Sequence, residues 1–367
     1  MMDKTYRLKD SLNYPIIDVD DIPGTEFCDS DALVGKPLVS VCMLTYNHEA
    51  YIGEAIEGVI NQRTNFKFEL LIGEDKSIDN TLNIVMRYAQ RQPSMIRVIT
   101  SDKNVGVLRN ELRLFRACRG KYIAFCEGDD YWHDCGKLQL QVDFLEDNSE
   151  FGLSYTDYDL LLEKKNKRIS NVSAKGIRAV SPVRSWSTDA CWHLLKENYI
   201  ATCTTVIRTS ILNQAHASDP IAFRSERFKA GDICTWFMAL RMTKAKFHDI
   251  STSTYRRRAD TISNPSNAIA ALDFEFNILD FCYHSFNHHN CPPRLRRSIV
   301  HIRLQKIFYS AMKRRNHAAI NYALVSICSQ DPRFRSRLFR GYMLLEYTAR
   351  RSMRRIWNGL LFLARKD

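Results

Sequence analysis

Two adjacent carboxylates at the end of an apolar run are the sharpest chemical signal in the chain. Asp129 and Asp130 follow YIAFCEG at Tyr122–Gly128. Paired acids at a strand end suit a hard divalent cation, Mg2+ or Mn2+, which takes carboxylate and phosphate oxygens together. Gly-Asp-Asp is also ordinary turn chemistry, but the strand pattern before it favours a site. A second acidic pair, Glu74-Asp75, ends another apolar run and is followed by Ser77 and Asp79. A carboxylate there can accept a hydrogen bond from a base or ribose edge, while Ser77 or Asp79 caps the next helix. Thr45-Tyr46-Asn47 ends a third run. Together these ends point to a small-molecule site with a cation.

The elements that must position these residues are readable from periodicity. Leu38–Tyr46 (LVSVCMLTY), Phe66–Gly73, Met95–Thr100 and Tyr122–Cys126 are short apolar runs rich in β-formers, the pattern of strands buried on both faces. Between them, Tyr51, Ile52, Ala55, Ile56, Val59 and Ile60 recur at helical spacing. So do Leu82, Val85, Met86 and Ala89 after Asp79. Asn104–Arg119 and Lys137–Glu146 predict further helices. Strands alternating with such helices predict an α/β fold with a mainly parallel sheet, whose ligands bind beyond the carboxyl ends of the strands. Further on, Phe151–Leu162, Ala201–Arg208 and Lys246–Arg257 predict strands, Lys164–Val183 a polar loop, and Gly231-Asp232 the start of a helix. Residues 1–36 read as an aperiodic arm, 37–265 as the catalytic domain, and 266–367 as a basic helical region.

Composition narrows the class. The 367 residues are 45% hydrophobic and 26% charged, with 14 Gly and 10 Pro, which excludes collagen-like and low-complexity chains. The net charge of +12 is unevenly spread: Pro292–Asp367 holds 18 Lys and Arg against 3 Asp and Glu. Arg350, Arg351, Arg354 and Arg355 alternate with Met353, Ile356, Trp357, Leu360, Leu361 and Phe362. That mixture fits a helix lying on an anionic membrane surface, or one packed on the protein with a solvated basic face. Eleven cysteines without a CxxC pair fit a reducing compartment. Met1–Asp10 lacks an apolar core of signal-peptide length, and no stretch reaches the ~18 apolar residues of a spanning helix. The expected location is cytoplasmic, or peripheral on the inner face of the cell membrane. His284, His288 and His289 with Cys282 and Cys291 lack the paired spacing of a structural zinc site.

The segments VSVCMLTYNHEAYIGEAIEGVINQ, FELLIGEDKSIDNT, NVGVLRN and GKYIAFCEGDDYW occur in that order, followed by KLQLQVDFLEDNSEFGLSYTD and a later Gly-Asp before an aromatic helix. This succession resembles the family 2 glycosyltransferases of GT-A fold, in a bacterial surface-polysaccharide branch, over about Pro37–Thr261. The resemblance implies a Rossmann-like nucleotide-diphospho-sugar transferase sheet and inverting transfer to a glycan or lipid-linked acceptor, assisted by Mg2+ or Mn2+. It implies that Thr45, Tyr46, Asn47 and Glu49 line the nucleotide pocket and that Asp75, beside Glu74, recognises the base. Asn104, Gly106 and Arg109 fall near the donor sugar and diphosphate. Asp130 takes the metal, Asp129 a ribose or sugar, and Asp232 is the catalytic base. Glu74, Lys76, Ile78 and Leu44 depart from the usual residues, and Lys76 bears on nucleotide preference. Two other classes compete. A sugar nucleotidyltransferase would carry a Gly-rich, basic phosphate loop after the first strand, where this chain has TYNHEAY. A non-catalytic relative would bind an anionic partner through its tail. No nucleic-acid motif is present, and nucleic acid is not an expected partner.

Overall fold

The computed structural model describes residues 14–33, 35–172, 189–258, 261, 265–313 and 317–330. Among these, 14–258 form one compact unit and 261–330 belong to another. The basic tail at 350–362 lies outside the described residues, as does most of the loop predicted at 164–183.

The first unit is built on one sheet. Its strands are β1 (Thr25–Phe27), β2 (Val39–Thr45), β3 (Phe68–Glu74), β4 (Ile96–Thr100), β5 (Tyr122–Phe125), β6 (Tyr131–Trp132), β7 (Phe151–Leu162), β8 (Lys167–Ile169), β9 (Thr205–Arg208) and β10 (Lys244–Arg257). The order is β1-β4-β3-β2-β5-β9-β7-β10-β6, with β8 on β7. β4, β3, β2 and β5 run parallel, as do β7 and β10. β9 joins these two parallel sets by antiparallel pairing to both β5 and β7. Helices α1 (Ile52–Ile60), α2 (Thr81–Arg91), α3 (Val107–Ala117) and α4 (Lys137–Asp147) connect or follow the early strands. α5 (Ala190–Lys196), α6 (Thr209–Ser218), α7 (Pro220–Phe223) and α8 (Gly231–Met242) come later.

The continuous apolar runs become central strands because both their faces are covered. Val39, Val41 and Met43 of β2 pack with Ile52, Ile56 and Val59 of α1, Leu70 and Ile72 of β3, and Val85 of α2. Fully burying each such side chain contributes about 1.5–3 kcal/mol. Strand order reverses between β2 and its two neighbours, β3 leading one way and β5 the other. This switch point opens a crevice at their carboxyl ends. Two details differ from the sequence expectation. The arm contributes an edge strand: β1 pairs antiparallel with β4, and Glu26 grips Arg97. The segment at 163–171 is a hairpin in which β8 returns along β7. Both strands are three residues long, too short for alternation to register.

The second unit holds α9 (Ala268–His288), α10 (Pro293–Lys313) and α11 (His317–Gln330). Asn267 caps α9, its Oδ1 accepting from the N–H groups of Ile269 and Ala270 at 2.9 and 3.1 Å. Leu272, Phe276 and Leu279 pack with Leu304, Ile307 and Ile320. No described helix is long and apolar enough to cross a membrane.

Candidate active site

One rim of the crevice is made by the ends of β2 and β3. Glu74 is fully buried, and its carboxylate turns back on its own chain. Oε1 accepts from Ser77 N at 2.6 Å; Oε2 accepts from Lys76 N at 3.2 Å and Thr100 Oγ1 at 2.8 Å. These bonds hold Lys76 in the left-handed region, at φ 59. Asp75 accepts Val105 N at Oδ1 (2.7 Å) and Gly106 N at Oδ2 (3.0 Å), and its carbonyl accepts Asn104 Nδ2 at 2.8 Å. Burial holds the Asp75 carboxyl above its usual range, although those N–H groups and Arg113 pull it down. Gly106 has φ 85, which a residue without Cβ adopts at no steric cost. Glu49 and Asp79 exchange bonds across the start of α2. Glu49 N donates to Asp79 Oδ2 at 3.1 Å, and Glu49 Oε2 accepts Asn80 N at 2.9 Å. Asn47, at φ 55, donates its N–H to Ser77 Oγ and accepts Ile78 N. Thr45 is buried with Oγ1 3.2 Å from His48 Nδ1, while Tyr46 is exposed.

The opposite rim is the acid turn after β5. Gly128 is required there by close approach: a Cβ would lie 2.8 Å from Thr45 Oγ1 and 3.0 Å from His48 Nδ1. Asp130 points inward and is only 3% exposed. Its Oδ1 accepts Arg256 N at 2.8 Å, so it anchors the end of β10. Burial, with Asp129 and Glu127 nearby, raises its carboxyl well above the usual range. Asp129 points outward, its side chain 18% exposed, 3.5 Å from Arg258 Nη1 and 3.9 Å from His48 Nε2. The His48 contact is within ion-pair distance, but burial lowers the His48 pKa, so near neutral pH the imidazole is an uncharged neighbour. Arg256 and Arg258 both lie over the Tyr51 ring, at 5.2 and 4.7 Å.

The third wall comes from α3 and α8. Asp232, in the first turn of α8, accepts Asn198 Nδ2 at 2.8 Å through Oδ2. Burial, then the like charge of Asp232, pushes Glu111 up to about 7. Burial, with Asp129, Asp232 and Glu111, pushes Glu127 up to about 8. Glu127 Oε2 is buried without a hydrogen-bond partner. Asp232, remote in sequence, thus shares one electrostatic neighbourhood with the acid turn.

Among the residues singled out from sequence, Thr45, Asn47, Asp75, Asn104 and Gly106 assemble one rim, and Asp129 and Asp232 face the crevice. Glu49 accepts Asn80 N from the neighbouring loop, and Glu74 spends its oxygens on Lys76 N, Ser77 N and Thr100 Oγ1. Arg109 pairs with Glu226. Sequence reasoning missed Arg113, Glu111 and Arg258. Arg113 is buried, donating to the Glu74 carbonyl (2.8 Å), Ser101 Oγ (3.0 Å) and the Pro23 carbonyl (3.1 Å). It ties the β3 rim to the arm. A signal for Glu111 existed: it shares a helical face with Leu114, Phe115 and Cys118, where a charge is out of place.

Residues 40–212 match the family described as Glycosyl transferase family 2. The sheet and its helices have a GT-A-like α/β architecture. An uncharacterized protein of Mycobacterium tuberculosis H37Rv is 36% identical over 171 residues, covering 46% of each chain. The chain spans about half the length of the first curated relatives it matches. The Escherichia coli protein named UDP-Glc:alpha-D-GlcNAc-diphosphoundecaprenol beta-1,3-glucosyltransferase WfgD is 25% identical over 268 residues, 69% of this chain and 97% of its own. Staphylococcus aureus TarS 1–349 in complex with UDP-GlcNAc shares the fold, with a TM-score of 0.50 and 16% identity, over 80% of this chain and 92% of that one.

Among the described residues, no three His, Cys, Asp or Glu side chains group to enclose a metal ion. The acid turn still fits an ion held partly by a ligand. Asp129 is reachable and makes only long contacts. A divalent ion sharing its shell with phosphate oxygens needs only one or two protein carboxylates.

Proposed function

We propose that the chain is an inverting glycosyltransferase that moves a sugar from a nucleotide-diphospho-sugar to a hydroxyl of a glycan or lipid-linked acceptor. Its setting is surface-polysaccharide assembly. The observation that supports the reading is that Glu111, which packs against Gly231 beside Asp232, and Glu127 of the acid turn line one recess. WfgD, matched over nearly its whole length and named for a diphosphoundecaprenol-linked acceptor, supports the acceptor class.

The β2 and β3 rim takes the nucleoside. Asp75, with Asn104 and Gly106 bound to it, presents a rigid edge to the base beside Thr45 and Asn47. Asp129 would hold the divalent cation. Asp130 has the different task of fixing the turn through Arg256. When bound, Mg2+ or Mn2+ offsets charge on the departing diphosphate. Arg109 pairs with Glu226, and Arg258 stands beside Asp129. Asp232, oriented by Asn198, accepts the acceptor hydroxyl proton as the new bond forms. Base and cation site belong on opposite sides of the transferred sugar, as direct displacement requires. A cytoplasmic site of action, with the basic tail against anionic lipid, completes the proposal.

The test combines binding and turnover. Nucleoside diphosphates are screened for a Mn2+-dependent rise in melting temperature, which a ligand specific to the folded state produces by mass action. Nucleoside diphosphate release is then followed from the matching sugar donor. A shift lost in Asp129→Asn, and release lost in Asp232→Asn with binding kept, is the expected result. A wild-type chain that responds to no nucleotide overturns the reading.

A further inference from the structure

Four carboxyl groups meet at the crevice, and two have evident tasks in the reading above. Asp129 faces Arg258 and the cation position, and Asp232 is held by Asn198. Glu111 and Glu127 remain. Glu111 rises from α3 against the start of α8: a Cβ added to Gly231 would lie 3.5 Å from Glu111 Oε2. Glu111 and Glu127 together line a recess of about 20 Å³ whose other walls include Leu44, Leu114, Phe115 and Phe125. That volume takes one water or one hydroxyl group. The charged neighbour acting on Glu111 is the like-signed Asp232. Glu127 Oε2 has no hydrogen-bond partner. Buried polar groups are normally satisfied, so Glu127, on the apolar-walled recess it shares with Glu111, holds capacity the fold does not use on itself.

We propose that Glu111 is a specificity-determining residue: with Glu127 it receives one hydroxyl of the transferred sugar in this recess. The inference rests on the nucleotide-sugar reading above and names the part of the donor that these groups read. A hydroxyl seated between two carboxyl groups can donate to one and accept from the other. A sugar without that hydroxyl, or with it turned the other way, leaves buried polar groups unmatched. Such mismatches discriminate far more strongly than a missing methylene.

The experiment is calorimetric binding to the full chain with Mn2+, using UDP, UDP-glucose, UDP-galactose, UDP-N-acetylglucosamine, GDP and GDP-mannose. Wild type is compared with Glu111→Ala and Glu111→Gln. Wild type is expected to discriminate among sugars on its preferred nucleotide. Glu111→Ala is expected to keep nucleoside diphosphate affinity within about twofold and to lose about tenfold or more of that discrimination. Glu111→Gln, isosteric and able to donate and accept, is expected to keep part of it, and it decides the matter if the Ala variant does not fold. Variants that discriminate as wild type does overturn the inference and leave the nucleotide site standing. So do variants that lose UDP and UDP-sugar in equal proportion, or a wild type that binds all sugars alike. A wild type that binds no member of the panel overturns both.

Discussion

Acids stand on both rims of the crevice, and the two sets are treated in opposite ways. At the ends of β2 and β3, Glu49, Glu74 and Asp75 accept backbone N–H groups of the loops they shape. On the acid-turn side, Glu111 and Glu127 line one recess, and burial with like-charged neighbours raises both carboxyls. The first set is a finished mould, rigid before any ligand arrives. The second holds like charges together at a cost in stability, as sites do whose partner comes from outside. The same residue type is therefore scaffold on one rim and chemistry on the other.

The comparison can be broken most sharply at Asp232. Asp232→Asn is expected to lower turnover by about 10²–10⁴-fold, the range for a positioned general base, with nucleotide affinity unchanged. Next comes Asp75→Ala, which leaves the buried Val105 N–H unpaired and Gly106 N–H with Asn104 Oδ1 as its remaining acceptor. A loss of about 3 kcal/mol is expected from denaturant unfolding, since hydrogen bonds to charged groups contribute about 1.5–3 kcal/mol each. If Asp75→Ala is neutral, that rim is not a mould. Asp129→Asn is expected to weaken Mn2+-dependent nucleoside diphosphate binding about tenfold and to leave metal-free binding alone.

Glu111→Gln should have the opposite sign from Asp75→Ala. Removing a buried charge that faces Asp232 is expected to stabilise the ligand-free protein by about 1 kcal/mol at pH 8. The folded-state carboxyl, near 7, lies above its unfolded value near 4.5. Between those values the native state holds a proton that the unfolded state releases, so wild-type stability falls as pH rises through this window. The gain from Glu111→Gln should thus be full above about pH 7 and absent below about pH 4.5. Melting curves across that range check it; a gain independent of pH would mean packing rather than charge.

The polar strand ends were legible because β2, β3 and β5 are buried on both faces, so the first polar residue after each run marks its exit. Helix α1 was legible from Ile52, Ile56 and Val59. Which of Asp129 and Asp130 turns outward was not: successive residues alternate sides, and the direction depends on where β10 delivers Arg256 N. The approach of Asp232 to the acid turn was equally hidden, because it follows from β9 pairing with both β5 and β7. Arg109 shows a further limit. Its place on α3 follows from sequence, but its partner Glu226 belongs to a segment without periodicity.

The lock between Asp130 and Arg256 also has a consequence in time. Among the described residues β6, next to the acid turn, pairs only with β10, through Tyr131 with Thr254 and Trp132 with Ser253. During synthesis the parallel set β2 to β5 emerges long before β10, and non-local pairings of that kind are slow to form. A nascent chain halted before Lys244 would therefore have its β2 and β3 rim assembled while Asp129 and Asp130 still lacked a fixed orientation. Order at one rim would precede order at the other, which waits for β10 to leave the ribosome.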